Sequence, residues 1–234
     1  MIVSTQIQEA GYTKSSPILK DIQFSLQAGE LVGLIGPNGS GKSSTIKALL
    51  GVLEHVEGTI ELEDYAYIPE RPIFYDGLTL REHLHFLGTT LEVDEEKFND
   101  DAEMLLKEFD LEKVAHHYPE SYSKGMQQKA MIMFAFLQKR SLYIIDEPFM
   151  GLDPKIIRKL LTMIEEEKKR GATILMSTHV LDTAEKICDR FLLLSNGRLI
   201  AEGTIDDIRQ KSRLPDGSLF DCFDVLTERD NDAG

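Results

Sequence analysis

The chain has 234 residues, 42% of them apolar and 8% aromatic, enough to build a sizeable core in an ordinary globular α/β protein of one domain. Its 40 acidic against 26 basic side chains leave a formal charge of −14, which argues against nucleic acid or an anionic lipid surface as a partner. No apolar run approaches the roughly 20 residues of a spanning helix, no basic region with an apolar core opens the chain, and two cysteines make no disulfide framework, so a cytoplasmic chain with reduced thiols is expected.

Residues 1–35 alternate and turn like antiparallel strands and end in the apolar run LVGLI. Gly36, Pro37, Asn38, Gly39, Ser40, Gly41, Lys42, Ser43 and Ser44 follow, and then the helical run TIKALLGV. Strand, glycine loop and helix in that order are the sequence form of a phosphate-binding P-loop. Glycines let successive N–H groups turn inward around phosphate oxygens, and the helix presents its positive end to the anion. Lys42 adds charge and Ser43 a hydroxyl for magnesium. Residues 58–62 and 66–68 read as further strands, with Glu70 just beyond in YIPE.

From residue 79 to about 137 the pattern becomes helical, with apolar residues three and four apart in LREHLHFL and EEKFNDDAEMLLKEFDL. Ser123 and Gly125 stand at the head of the last helix there, where a hydroxyl and free N–H groups can hold an anion. The run LYIIDEP is a buried strand that delivers Asp146 and Glu147 at its carboxyl end. Asp146 can hold magnesium through water, and Glu147 can orient or deprotonate the attacking water. An amphipathic helix opening at Pro154, a strand TILMS, His179, a helix near 180–188 and a hairpin turning at Asn196-Gly197 follow. The polar, acidic tail of residues 214–234 is expected to fray. His55, His83, His85, His116 and His117 complete no metal-ligand pattern with Cys188 or Cys222.

These segments, in this order, resemble the ABC ATPases. The P-loop matches Walker A and LYIIDEP matches Walker B. Tyr122-Ser123-Lys124-Gly125-Met126-Gln127-Gln128-Lys129 resembles the signature motif LSGGQ followed by QQR: Ser123 and Gly125 match, while Tyr122, Lys124 and Met126 depart from it. Met150-Gly151-Leu152-Asp153-Pro154 resembles the D-loop, His179 the switch histidine that contacts the γ-phosphate, and Tyr12 the aromatic residue that stacks on adenine. Glu70 stands where the family usually carries a glutamine. A carboxylate reaches metal or water but cannot donate a hydrogen bond as an amide does.

The resemblance spans residues 1 to about 210. It implies a P-loop NTPase core of ABC ATPase type, α/β, with an antiparallel β subdomain and an inserted α-helical subdomain near residues 72–137. It implies ATP and Mg2+ as ligands and Glu147, His179 and Lys42 as catalytic residues. Tyr12, residues 36–44, Ser123, Gly125 and Asp153 would contact nucleotide, and Ser43, Asp146 and Glu70 the metal. Two copies would pair head to tail and drive an integral-membrane permease subunit. SKGM and YIPE are similar to the bacterial Ecs-type (PptA-type) ATPases, which implies an EcsB-like partner, the cytoplasmic face of the cell membrane and export of hydrophobic peptides. The stretch ERPIFYDGLT, with Pro72, Ile73, Phe74 and Tyr75, is either the docking face or packing between insert and core. Two other functions stay open: a regulatory ATPase acting on soluble partners, and an importer ATPase.

Overall fold

A computed structural model describes residues 1–91, 93–149 and 151–233; Met150 of the D-loop segment and Gly234 of the tail lie outside the described residues. Three antiparallel strands, β1 (Val3–Gly11), β2 (Leu19–Leu26) and β4 (His55–Leu62), form one sheet in the order β2-β1-β4. The second sheet runs β5-β6-β7-β3-β8-β9, with β3 (Leu31–Ile35), β5 (Tyr65–Ile68), β6 (Leu142–Asp146), β7 (Thr173–Thr178), β8 (Arg190–Ser195) and β9 (Arg198–Gly203). Its strands are parallel except for β9, which pairs antiparallel with β8.

Strands β3, β6 and β7 are buried along their whole length, which explains their unbroken apolar reading. Because side chains alternate across a strand, neighbouring residues serve different cores. On β6, Tyr143 and Ile145 pack with α2 (Leu80–Thr90), α3 (Glu95–Glu108), α4 (Lys124–Leu137) and α5 (Pro154–Lys169). Leu142 and Ile144 instead pack with the β1-β2-β4 sheet and α1 (Lys42–Leu49). The helical insert is thus joined to the nucleotide core through one face of the central sheet.

The C-terminal segment corrects an expectation. Residues 214–234 do not simply fray, because within them α8 (Leu219–Ala233) packs on α6 (Leu181–Ile187), α7 (Ile205–Ser212), β8 and β9. Leu219, Cys222 and Leu226 are buried in a third apolar cluster with Ile35, Phe191, Leu193 and Ile208. Ser218 and Asp221 exchange hydrogen bonds at the helix head, and Arg229 donates to the carbonyls of Lys211 and Ser212 at 3.2 and 2.9 Å. Asp221, Asp224 and Glu228 are exposed, and the three- and four-residue apolar spacing decides the structure.

The hairpin between β8 and β9 turns at Asn196 (φ 46°) and Gly197 (φ 75°), the left-handed pair that a two-residue turn requires. Gly197 is buried against β2 and the P-loop: its N–H donates to the Ser40 carbonyl, and its carbonyl accepts from the Lys20 N–H, each at 2.9 Å.

Candidate nucleotide-binding site

Parallel strands deliver their carboxyl ends to one edge of the sheet, and there the described residues form a cleft of about 690 Å³. Asn38, Gly39, Gly41, Lys42, Ser43 and Ser44 line it from the P-loop, Glu70 from beyond β5, Glu147 from just past β6 and His179 from just past β7. Ile18, just before β2, completes the wall, although nothing in the sequence sets it apart from other apolar strand residues.

The P-loop needs its glycines for two different reasons. A Cβ on Gly36 would fall 2.4 Å from Ser40 Oγ and 2.6 Å from the Leu194 carbonyl, whereas Gly41 caps α1 at φ 107°, a conformation that side chains resist. Pro37, Asn38 and Gly39 are exposed and Ser40 is buried beneath them. Lys42, the first residue of α1, folds its side chain back over the loop. Its Nζ donates to the Gly36 carbonyl at 2.8 Å and the Pro37 carbonyl at 3.3 Å, and lies 3.6 Å from Glu147 Oε1.

Glu147 is the centre of the charge arrangement. It has φ 49°, in the left-handed region that a non-glycine residue enters at a cost of about 1–3 kcal/mol and that concentrates at functional sites. Its side chain is only 10% exposed and lies between Lys42 and His179, whose Nδ1 is 2.9 Å from Glu147 Oε2. As the Nδ1–H donor to that carboxylate, His179 turns its Nε2 away. Asp146, also buried, accepts a hydrogen bond from the Ser177 hydroxyl, and the same hydroxyl accepts from the Glu147 N–H at 3.1 Å. In the run Ser177-Thr178-His179, sequence reasoning assigned a role to His179 and none to Ser177, which stands two residues earlier, inside β7. Tyr67, at the start of YIPE, does not line the cleft; burial first, and then the charges of Asp146 and Glu70, push its hydroxyl up to about 12. Glu70 itself is exposed.

Tyr12 is not among the residues lining the cleft. Its hydroxyl accepts from Lys47 Nζ at 2.8 Å, and that ammonium also lies 5.0 Å from the ring centre. The bond from Lys47 holds the Tyr12 hydroxyl below its ordinary value, with Ser44 of the P-loop contributing a weaker hydrogen bond. The ring is therefore anchored to α1 while remaining 47% exposed.

Three further predicted residues lie outside the cleft. Ser123 is exposed and caps α4, its Oγ accepting from the Met126 N–H at 3.3 Å, which leaves the hydroxyl proton to be donated outward. Gly125 lies against the D-loop: a Cβ there would come to 3.0 Å from the Gly151 carbonyl. Asp153 caps α5 through Oδ1, which accepts from the N–H groups of Lys155 and Ile156 at 2.9 and 3.1 Å. Those backbone bonds, from Ile156 above all, hold its carboxyl below the usual range. One chain thus gathers the P-loop, Glu147, Glu70 and His179 at one cleft, with Asp146 buried beside Glu147 and not among the lining residues, and leaves Ser123, Gly125 and Asp153 outside it.

Residues 19–150 match the ABC transporter family. The chain is 50% identical to the ABC transporter ATP-binding protein YthP of Bacillus subtilis over 95% of each chain, and 44% identical to the ABC-type transporter ATP-binding protein EcsA of the same organism over 98% of each. A solved structure described as the ATP-binding subunit of an ABC transporter superposes with a TM-score of 0.92 at 42% identity, covering 97% of this chain and 100% of that one. The chain belongs to the ABC transporter family and is one of its ATP-binding, ATP-hydrolysing cassettes.

Proposed function

We propose that two copies of this chain pair head to tail around two ATP molecules and drive a separate membrane permease from its cytoplasmic face. The observation that carries this reading is the separation within one chain. Lys42, Glu147 and His179 converge on the cleft, whereas exposed Ser123 and half-buried Gly125 stand outside it at the head of α4, with an unspent hydroxyl proton and helix-head N–H groups. Such groups add to a phosphate only when it is already cradled elsewhere, and a second copy supplies that cradle.

In the free chain, carbonyl oxygens and Glu147 hold the Lys42 ammonium. Arriving β- and γ-phosphates would take it over and leave Glu147 to orient water against the γ-phosphate, with His179 as its hydrogen-bond partner. The donor set around the loop fits Mg2+. Among the described residues no group of three His, Cys, Asp or Glu side chains could hold a metal, so the ligands would be phosphate and water oxygens with the Ser43 hydroxyl and Asp146, as this hard, strongly hydrated ion prefers. Glu70 lines the same cleft and would reach metal-bound water. When bound, the ion would neutralise charge on the phosphates.

No helix among the described residues is long and apolar enough to cross a membrane, so a transport role calls for a partner that does. We place its docking in a groove of about 580 Å³ lined by Ile73, Phe74, Tyr75, His83, Phe86 and Phe134. Ile73 and Tyr75 are 71% and 62% exposed beside charged residues, a composition suited to an interface with an apolar centre. The Ecs-type resemblance favours an EcsB-like permease and export of hydrophobic peptides.

Mixing tests the pairing. A Ser123→Arg chain blocks the facing site and a Glu147→Gln chain lacks the water-orienting carboxylate, so each alone should hydrolyse ATP poorly. Combined, they form one intact composite site and should regain turnover; mixtures that stay at the Ser123→Arg baseline would refute head-to-tail pairing.

A further inference from the structure

We propose that Ser177 is a positioning residue for hydrolysis, its hydroxyl setting the geometry of Asp146 and Glu147 together. This rests on the assignment of those two acids made above and adds a residue to which the motifs give no role.

In the parallel pairing of β6 and β7, Asp146 stands opposite Ser177. The strand partner of the first acid is therefore a residue with one proton to give and lone pairs to receive. Ser177 uses both: Oγ donates to Asp146 Oδ1 and accepts from the Glu147 N–H at 3.1 Å, while its backbone carbonyl accepts from the same N–H at 3.2 Å. The side chain is fully buried, so water cannot replace these bonds. Two residues on, just past the end of β7, His179 holds the Glu147 carboxylate at 2.9 Å. The strand end thus grips Glu147 at its backbone through Ser177 and at its side chain through His179.

The grip matters because Glu147 has φ 49°, a conformation that persists only where surrounding contacts over-determine it. An alanine or valine at 177 would leave the strand and its register intact but would free Asp146 Oδ1 and remove one of two acceptors from the Glu147 N–H. Asp146 would then lose the bond that orients its carboxylate, and Glu147 one of the two bonds that hold its backbone N–H. Partners of this outer kind commonly change metal affinity or activity by 10–100-fold.

The test uses full-length Ser177→Ala and Ser177→Cys. The cysteine fills the space with a group that donates and accepts poorly, so it guards against loss of packing as the cause. Expected are a fall in kcat of about tenfold or more in both variants, unchanged ATP affinity, and a higher magnesium concentration for half-maximal turnover. In nucleotide-free protein, hydrogen exchange at the Glu147 amide should accelerate in both variants. A kcat within about twofold of the parent in Ser177→Cys, or an unaltered Glu147 amide in both variants, would overturn the proposal, as would losses that only track a lower folded fraction. Glu147→Gln is run alongside. If it too turns over normally, the assignment of the acids has failed; if it is inactive while Ser177→Cys is not, only the role of Ser177 has failed.

Discussion

Replacing Glu147 with glutamine keeps the shape of the side chain and removes its charge. The structure separates what this should cost the fold from what it should cost the reaction. Glu147 and Lys42 are a nearly buried pair, 10% and 6% exposed, and breaking such a pair ordinarily costs about 3–5 kcal/mol because one charge is stranded. Here Lys42 keeps its hydrogen bonds to the Gly36 and Pro37 carbonyls at 2.8 and 3.3 Å, while the Glu147 oxygen at 3.6 Å contributes charge rather than a hydrogen bond. The loss should therefore be nearer about 1 kcal/mol, a shift in melting temperature of roughly 2–4 °C for a chain of this size. The reaction has no such reserve, because an amide cannot take a proton from water. Removing a general base commonly costs about 10²–10⁴ in rate, or roughly 2.7–5.5 kcal/mol in the barrier. Phosphate release at saturating ATP and magnesium, paired with equilibrium binding of labelled ATP and size-exclusion chromatography, reads all three expectations: turnover lost, nucleotide retained, ATP-bound dimer accumulating. Turnover within about threefold of the parent, in protein that melts normally, would refute Glu147 as the carboxylate that handles the water.

Two other measurements address the C-terminal helix and the docking groove. Leu219→Ala, at a fully buried position, should cost about 2–5 kcal/mol in a urea titration, whereas a tail that frayed would register almost nothing. Phe74→Ala and Tyr75→Ala should behave differently, because Phe74 packs on the core with its ring 6.2 Å from Phe134, while Tyr75 is 62% exposed. Phe74→Ala should lower the melting temperature by several degrees; Tyr75→Ala should leave it unchanged and weaken pull-down of the co-expressed membrane partner, and full association in the latter would remove Tyr75 from the docking face.

What could be read from residues alone was whatever depends on local chemistry. The P-loop declared itself because φ above zero at Gly39 and Gly41 and the close approach at Gly36 leave glycine little competition. The Walker B strand declared itself because four buried apolar residues, Leu142 to Ile145, lead directly into two acids. Ser177 was on view in the run before His179, but its function depends on which residue of β6 it faces, and register is a property of two strands rather than one. Ile18 enters the cleft for a similar reason, through the pairing of elements distant in sequence. Helix α8 was legible and overlooked: Ser218 and Asp221 mark a capping box, and Leu219, Cys222 and Leu226 keep helical spacing, yet the net acidity of the segment obscured both. Phe74 and Tyr75, adjacent and chemically alike, could be assigned to core and surface only once the strand end before them and the helix after them were in place.

The turn at Asn196 and Gly197 bears on how this protein can be altered. By ordinary expectation, a two-residue hairpin on a surface is where a chain accepts a tag, an inserted domain or new termini. Here a methyl group on Gly197 would meet the Ile18 carbonyl at 1.8 Å, while the glycine's own N–H braces the loop that must close around phosphate. The hairpin turn between β8 and β9 is therefore a poor insertion point. A change made there, about 155 residues after the P-loop, would be expected to show itself first as weakened nucleotide binding in a protein that is still folded.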